Sequence, residues 1–83
     1  MKDNLSARKI IANGTTSHTA LCMRVRKIRI DNALTQESFA ITLSTTRVNI
    51  NQIERGLHAP SIETIRLIRK NFNVSYDWLL DGK

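Results

Sequence analysis

Acidic side chains are in short supply in this sequence. Seven Asp and Glu stand against thirteen Lys and Arg, giving a formal net charge of +6 over 83 residues. Such a surplus favours a polyanionic partner, either nucleic acid or an anionic membrane surface. Cysteine occurs once, at Cys22, so no disulfide within the chain can form, which suits a reducing cytosol. No apolar run approaches the length of a membrane span, and the N-terminus lacks the apolar centre of a signal peptide. The expectation is a soluble cytoplasmic protein with no membrane partner. The four aromatics are Phe39, Phe72, Tyr76 and Trp78, and they form no row of stacking residues of the kind that binds single-stranded RNA or DNA. A chain this short builds one small core, and a deep catalytic cleft is harder to fit than a binding surface.

What the sequence does contain is helical. Residues 1–16 are polar and read as an N-terminal arm, part helical around Leu5, Ile10 and Ile11, and broken at Asn13-Gly14-Thr15-Thr16. The domain proper is expected over 17–83. Its first helix is capped by Ser17 and reaches about Asn32, with Leu21, Val25 and Ile28 towards the core and Arg24, Arg26, Lys27 and Arg29 making it basic. A second helix follows the Thr35 cap and buries Phe39, Ala40 and Leu43, then stops near Ser44-Thr45-Thr46. Thr46 caps a third helix, which Gly56 ends. After the Leu57-His58-Ala59-Pro60 loop, Ser61 caps a fourth helix to about Phe72, with Ile62, Ile65, Ile68 and Phe72 as its core stripe. Asn73 can adopt the left-handed stop, and Ser75 caps a last helix through Tyr76, Trp78, Leu79 and Leu80. The fold class is all-α, with five helices.

The third helix is built from mediocre helix formers. Val48-Asn49-Ile50-Asn51 even alternates like a strand, although the flanking residues keep a helical period. Ile50, Ile53 and Glu54 fall on one side of it. Arg47, Val48, Asn51 and Gln52 fall on another, at spacings i, i+1, i+4 and i+5. Ala40, small and four residues after Gln36, allows the second helix to cross the third closely. This is helix-turn-helix spacing, in which the second helix of the unit projects outward from a supporting one. Packing then holds the back of the third helix and leaves its front free for hydrogen-bonding groups. Asn and Gln amides pair donor with acceptor, Arg offers a fork to guanine, and Val methyls meet a thymine methyl.

Leu34-Thr35-Gln36, Phe39-Ala40, Leu43, Ile50, Ile53-Glu54-Arg55-Gly56, Pro60-Ser61 and Val74-Ser75-Tyr76-Asp77-Trp78-Leu79-Leu80 together resemble the lambda-repressor-like, or XRE-type, helix-turn-helix family. The resemblance runs from about Met23 to Gly82, and the Thr-Thr turn and Asp-Trp-Leu-Leu ending look most like lambdoid phage repressors. It implies a five-helix domain that binds double-stranded DNA as a homodimer on a two-fold operator. It implies that Arg47, Val48, Asn51 and Gln52 read base edges, and that Arg29 and Glu54 pair inside the domain. Gln36 would hold a phosphate and brace the third helix; Thr46, Asn49, Arg55 and His58 are the other phosphate-binding candidates. The sequence departs from the family pattern at the turn, where Ser44 replaces the usual Gly and Thr45 the following aliphatic. Arg69 and Asn71 also replace small residues common in the fourth helix.

Other readings compete. Arg47, Asn51 and Gln52 alone would pass for a solvated face, and Arg29 and Glu54 for surface charges. His18 and Cys22, four apart on a helix, lack the further ligands a metal site needs, so no metal or cofactor is expected. Cys22 reads as a small semi-buried residue rather than a nucleophile, and no His-Asp arrangement supports an enzyme. The expected function is a sequence-specific transcriptional repressor of phage or prophage origin. The alternative is an antitoxin or similar module that binds DNA and a regulatory protein partner. The chain ends just after the family domain, which fits either a whole repressor or the DNA-binding part of a longer one.

Overall fold

The computed structural model describes residues 17–83, with side chains from Thr19 onward. The expected arm over 1–16 lies outside the described residues, as do the side chains of Ser17, the expected cap, and His18. Five helices follow in order: α1 (Ser17–Asp31), α2 (Gln36–Thr42), α3 (Arg47–Glu54), α4 (Ile62–Phe72) and α5 (Tyr76–Asp81). No strand occurs among the described residues.

The four starts after α1 share one device. Thr35, Thr46, Ser61 and Ser75 each hold an extended backbone, and each side-chain oxygen accepts from the backbone N–H three residues on. Each cap satisfies a donor the helix itself cannot, for a contribution of about 1 kcal/mol. At α2 the exchange is reciprocal, since the Ser38 hydroxyl also accepts from the Thr35 N–H at 3.0 Å.

The stops share a second device. After α1, α2 and α3 the chain enters the left-handed region at Ala33 (φ 55°), Ser44 (φ 56°) and Gly56 (φ 75°). Each time, two backbone N–H groups turn back onto the last carbonyls. Leu34 N donates to Arg29 O at 3.1 Å, Thr45 N to Ala40 O at 2.9 Å and Leu57 N to Gln52 O at 2.9 Å. Of these three only the last uses glycine, as Gly82 (φ 78°) does again after α5. Ser44 therefore makes the tight α2–α3 turn with a Cβ in a region that costs an L-residue roughly 1 kcal/mol. Asn73 takes the same conformation after α4.

The core gathers Leu21, Val25 and Ile28 of α1, Phe39 and Ala40 of α2 with Leu43 at its C-cap, Ile50 and Ile53 of α3, Ile65 and Ile68 of α4, and Leu79 of α5. Phe39 and Phe72 meet with ring centroids 5.5 Å apart at a tilted 54°. Arg24 on α1 donates to the carbonyls of Leu79 at 3.1 Å and Leu80 at 3.4 Å, placing a cation on the C-terminal turn of α5 and fastening that helix to α1.

Two expectations are corrected. Ile62 is not in the core stripe of α4; it is 65% exposed. At 100° per residue it lies about 120° round the helix from Ile68, and Thr64 takes the buried place, its hydroxyl accepting from Ser61 at 3.1 Å. Cys22 is fully rather than semi-buried, and its thiol donates to the His58 carbonyl at 3.5 Å. Burial pushes that thiol up from its ordinary value.

The two isoleucine environments separate in a stability measurement. Ile53→Ala, at a site with no exposure, is expected to cost about 2–5 kcal/mol in urea denaturation. Ile62→Ala is expected to stay within about 0.5 kcal/mol. Comparable losses from the two would contradict the outward placement of Ile62.

Candidate nucleic-acid interface

The polar surface of α3 is organised from behind by a single buried carboxylate. Glu54, in the last turn of α3, has a side chain only 3% exposed. Arg29 of α1 meets it with two parallel bonds, Nε to Oε2 at 2.6 Å and Nη2 to Oε1 at 2.9 Å. The third arm of the same guanidinium donates to the Leu34 carbonyl at 2.9 Å. From α2, the Gln36 amide donates to Glu54 Oε1 at 3.2 Å. Arg26 stands 3.9 Å from that oxygen but is 57% exposed. One carboxylate thus joins α1, α2, α3 and the α1–α2 turn. The hydrogen bond to Glu54 holds the Arg29 guanidinium above its ordinary pKa, outweighing the opposing effect of burial. The bidentate fork fixes direction as well as distance.

The front of α3 is different. Arg47 and Val48 are exposed and Asn51 is half-buried. Among the described residues, Arg47 and Asn51 have no side-chain hydrogen bond or ion pair. Gln52, half-buried on the same face, is engaged: its amide lies 3.1 Å from the His58 ring. Thr46, at the N-terminus of α3, uses its hydroxyl oxygen to accept from the Asn49 N–H. The Asn49 side chain donates to the Thr45 hydroxyl at 2.9 Å, locking the turn to the first turn of the helix. Arg55 caps α3 at its other end and is exposed.

The fold therefore brings Arg47, Val48, Asn51 and Gln52 to one outward surface. Thr46 and Asn49 lie at its N-terminal edge, Gln36 sits behind it, and Arg55 and His58 lie at its far end. Reading the residues alone missed three links: Arg29 to the Leu34 carbonyl, Asn49 to Thr45, and Gln52 to His58. The last had a signal, since two hydrogen-bonding side chains six apart flank a helix stop that folds the chain back.

A family model described as "Helix-turn-helix domain" matches residues 23–83. The chain belongs to that family. The match spans all of α2 to α5 and most of α1. Members of this XRE-like family share the bihelical unit in which one helix supports another that is presented to DNA. Among solved structures, the P22 c2 repressor, crystallised with the synthetic operator 9T, is similar with a TM-score of 0.69 and 27% identity, over 76% of this chain and 96% of that one. Among curated proteins, the HTH-type transcriptional activator BcrR of Enterococcus faecalis is 35% identical over 60 residues. Those residues are 72% of this chain but only 29% of the length of that relative. No described helix is long and apolar enough to cross a membrane.

The two arginines near Glu54 make a direct test of this support. Arg29→Met strips a carboxylate that is 3% exposed of its bidentate partner, and should cost about 3–5 kcal/mol of unfolding free energy. Arg26→Ala, changing a solvated residue, should cost under about 1 kcal/mol. Chemical denaturation of both variants checks the contrast.

Proposed function

We propose that this chain is the DNA-binding domain of a cytoplasmic, sequence-specific transcriptional regulator of double-stranded DNA, with α3 as its reading helix. One observation carries the reading. The weak helix former α3 is anchored through Glu54 on its back, while Arg47 and Asn51 on its front have no partner within the described residues. Side chains held ready but unpaired suit base edges in a major groove, with Arg47 and Val48 entering first and Asn51 and Gln52 one turn later. Thr46, Asn49 and Arg55 border that face and supply the phosphate contacts, with Gln36 behind it at the start of α2; His58, the other candidate, is tied to Gln52. The excess of cations provides affinity by releasing counterions, and the face of α3 provides discrimination.

Repression by occluding a promoter is the favoured outcome, supported by similarity to the P22 c2 repressor and consistent with a phage or prophage origin. The activator name carried by the Enterococcus faecalis relative supports activation as the second reading. A reporter downstream of the selected site separates the two by the sign of its response.

A dimer on a two-fold operator is the working unit we propose, because one reading helix touches too few base pairs for a unique address. Its seat is the shallow groove of about 260 Å³ between α4 and α5, lined by Ile62, Ile65, Arg66, Tyr76 and Leu80. Ile62, Tyr76 and Leu80 are 65%, 40% and 41% exposed there. To reach half-sites one turn of DNA apart, two copies joined across it must hold their α3 helices about 34 Å apart. Sedimentation should show a dimer on the operator that Leu80→Asp abolishes; monomers alone, free and bound, would exclude this seat.

Selection of bound sites from random duplexes tests the whole reading. Arg47→Ala should cost about 1–3 kcal/mol on the selected site and flatten preference at one position. Arg55→Ala should weaken all sequences alike and lower the log–log salt slope by about one. Wild-type ratios of cognate to scrambled binding in Arg47→Ala and Gln52→Ala would remove α3 as the reader.

A further inference from the structure

His58 lies in the α3–α4 loop, two residues past the glycine that ends α3. Its backbone is fixed, because its carbonyl accepts from the buried Cys22 thiol of α1. Its ring is held at both nitrogens. Nδ1 stands 3.2 Å from the Ala59 carbonyl oxygen, and Nε2 stands 3.1 Å from the Gln52 side-chain amide at the Oε1 position. Both neighbouring oxygens can only accept, so the two contacts are hydrogen bonds together only in the imidazolium, and the Ala59 contact is one when Nδ1 carries the proton. In a neutral imidazole the other nitrogen then holds a lone pair. That lone pair cannot face an amide oxygen. A half-turn of the Gln52 amide about its terminal bond, which exchanges oxygen and nitrogen of nearly equal size, would remove the conflict. Nitrogen then donates to His58, and oxygen faces outward beside the remaining N–H.

From this we infer that His58 is a specificity-determining positioning residue: it fixes the polarity of the Gln52 amide so that α3 presents an acceptor to DNA and selects a base bearing an exocyclic amino group. Adenine fits best, because its N6 donates to the outward oxygen while its N7 accepts the remaining N–H. Guanine sets O6, an acceptor, against that oxygen and is disfavoured, because only its N7 can take the remaining N–H. The inference rests on Gln52 reading a base, as proposed above, and it gives His58 a different role from a simple phosphate contact. A phosphate contact weakens every sequence equally, whereas a polarity lock changes one base pair and acts only through Gln52.

The experiment compares wild type, Gln52→Ala, His58→Ala and the double variant on operators carrying each of the four base pairs at every position, at about pH 8, above the usual imidazole range. Gln52→Ala identifies the position it reads. There, wild type should favour adenine over guanine by roughly tenfold. His58→Ala should lose most of that preference while leaving other positions unchanged, and it should add nothing in the Gln52→Ala background. A uniform loss of affinity on all operators, independent of Gln52, would overturn the lock, as would a guanine preference at that position. If Gln52→Ala flattens no position, base reading by Gln52 fails first and the lock falls with it. Nitrogen-15 NMR of the free wild-type protein at the same pH gives an independent readout, whatever the variants do to folding. Nδ1 should be protonated and Nε2 bare, and the opposite tautomer would end the inference.

Discussion

The carboxylate of Glu54 is the constraint on which the arrangement of the helices turns. It is buried, so an unpaired charge there would cost several kcal/mol. Arg29, Gln36 and Glu54 come from three different helices, and their hydrogen bonds form only when those helices stand in one relative orientation. Hydrophobic contacts among Ile50, Ile53, Phe39 and Val25 are less demanding, because apolar side chains repack with little loss when shifted. A bidentate guanidinium–carboxylate pair tolerates much less displacement. The apolar core supplies the driving force, and the Glu54 cluster sets the angle at which α3 leaves the body of the protein.

That division explains the composition of α3. A helix of eight residues with two asparagines and a valine has little stability of its own. It is held by a side-chain cap at Thr46, by Ile50 and Ile53 in the core, by Glu54 behind and by the turn-back at Gly56. The positions left over are released from structural duty and can be chosen for their chemistry towards a partner. Asn49 and Gln52 are the exceptions among them, Asn49 tied to Thr45 in the turn and Gln52 to a loop residue that is itself tied to α1. Part of the reading surface is thereby organised from outside the helix that carries it.

Much of the fold was legible because its signals are local. Thr35, Thr46, Ser61 and Ser75 announce helix starts through a side chain reaching three residues ahead, and Gly56 and Asn73 announce stops through a backbone preference. Ala33 was not legible as a stop, since alanine has no preference for the left-handed region and is held there by the turn-back bonds around it. Ile62 misled for a related reason. Its spacing fits the α4 stripe at one edge, and periodicity cannot say how wide a face the neighbouring helices cover. For the candidate interface, spacing along α3 placed four side chains on one surface but was silent on which of them already had partners.

The sequence by itself determined the five helices, the capped starts of the last four, the polar and apolar sides of α3 and the cationic balance of the whole, because each depends on the order of residues or on their sum. Only the tertiary structure decided that Arg29 and Gln36 converge on Glu54 while Arg26 stays in solvent. It alone closed the Cys22 thiol against the His58 carbonyl and brought the His58 ring to Gln52. These contacts join residues up to 36 apart in the chain. Their distances are fixed by how the helices pack, so no local pattern could encode them.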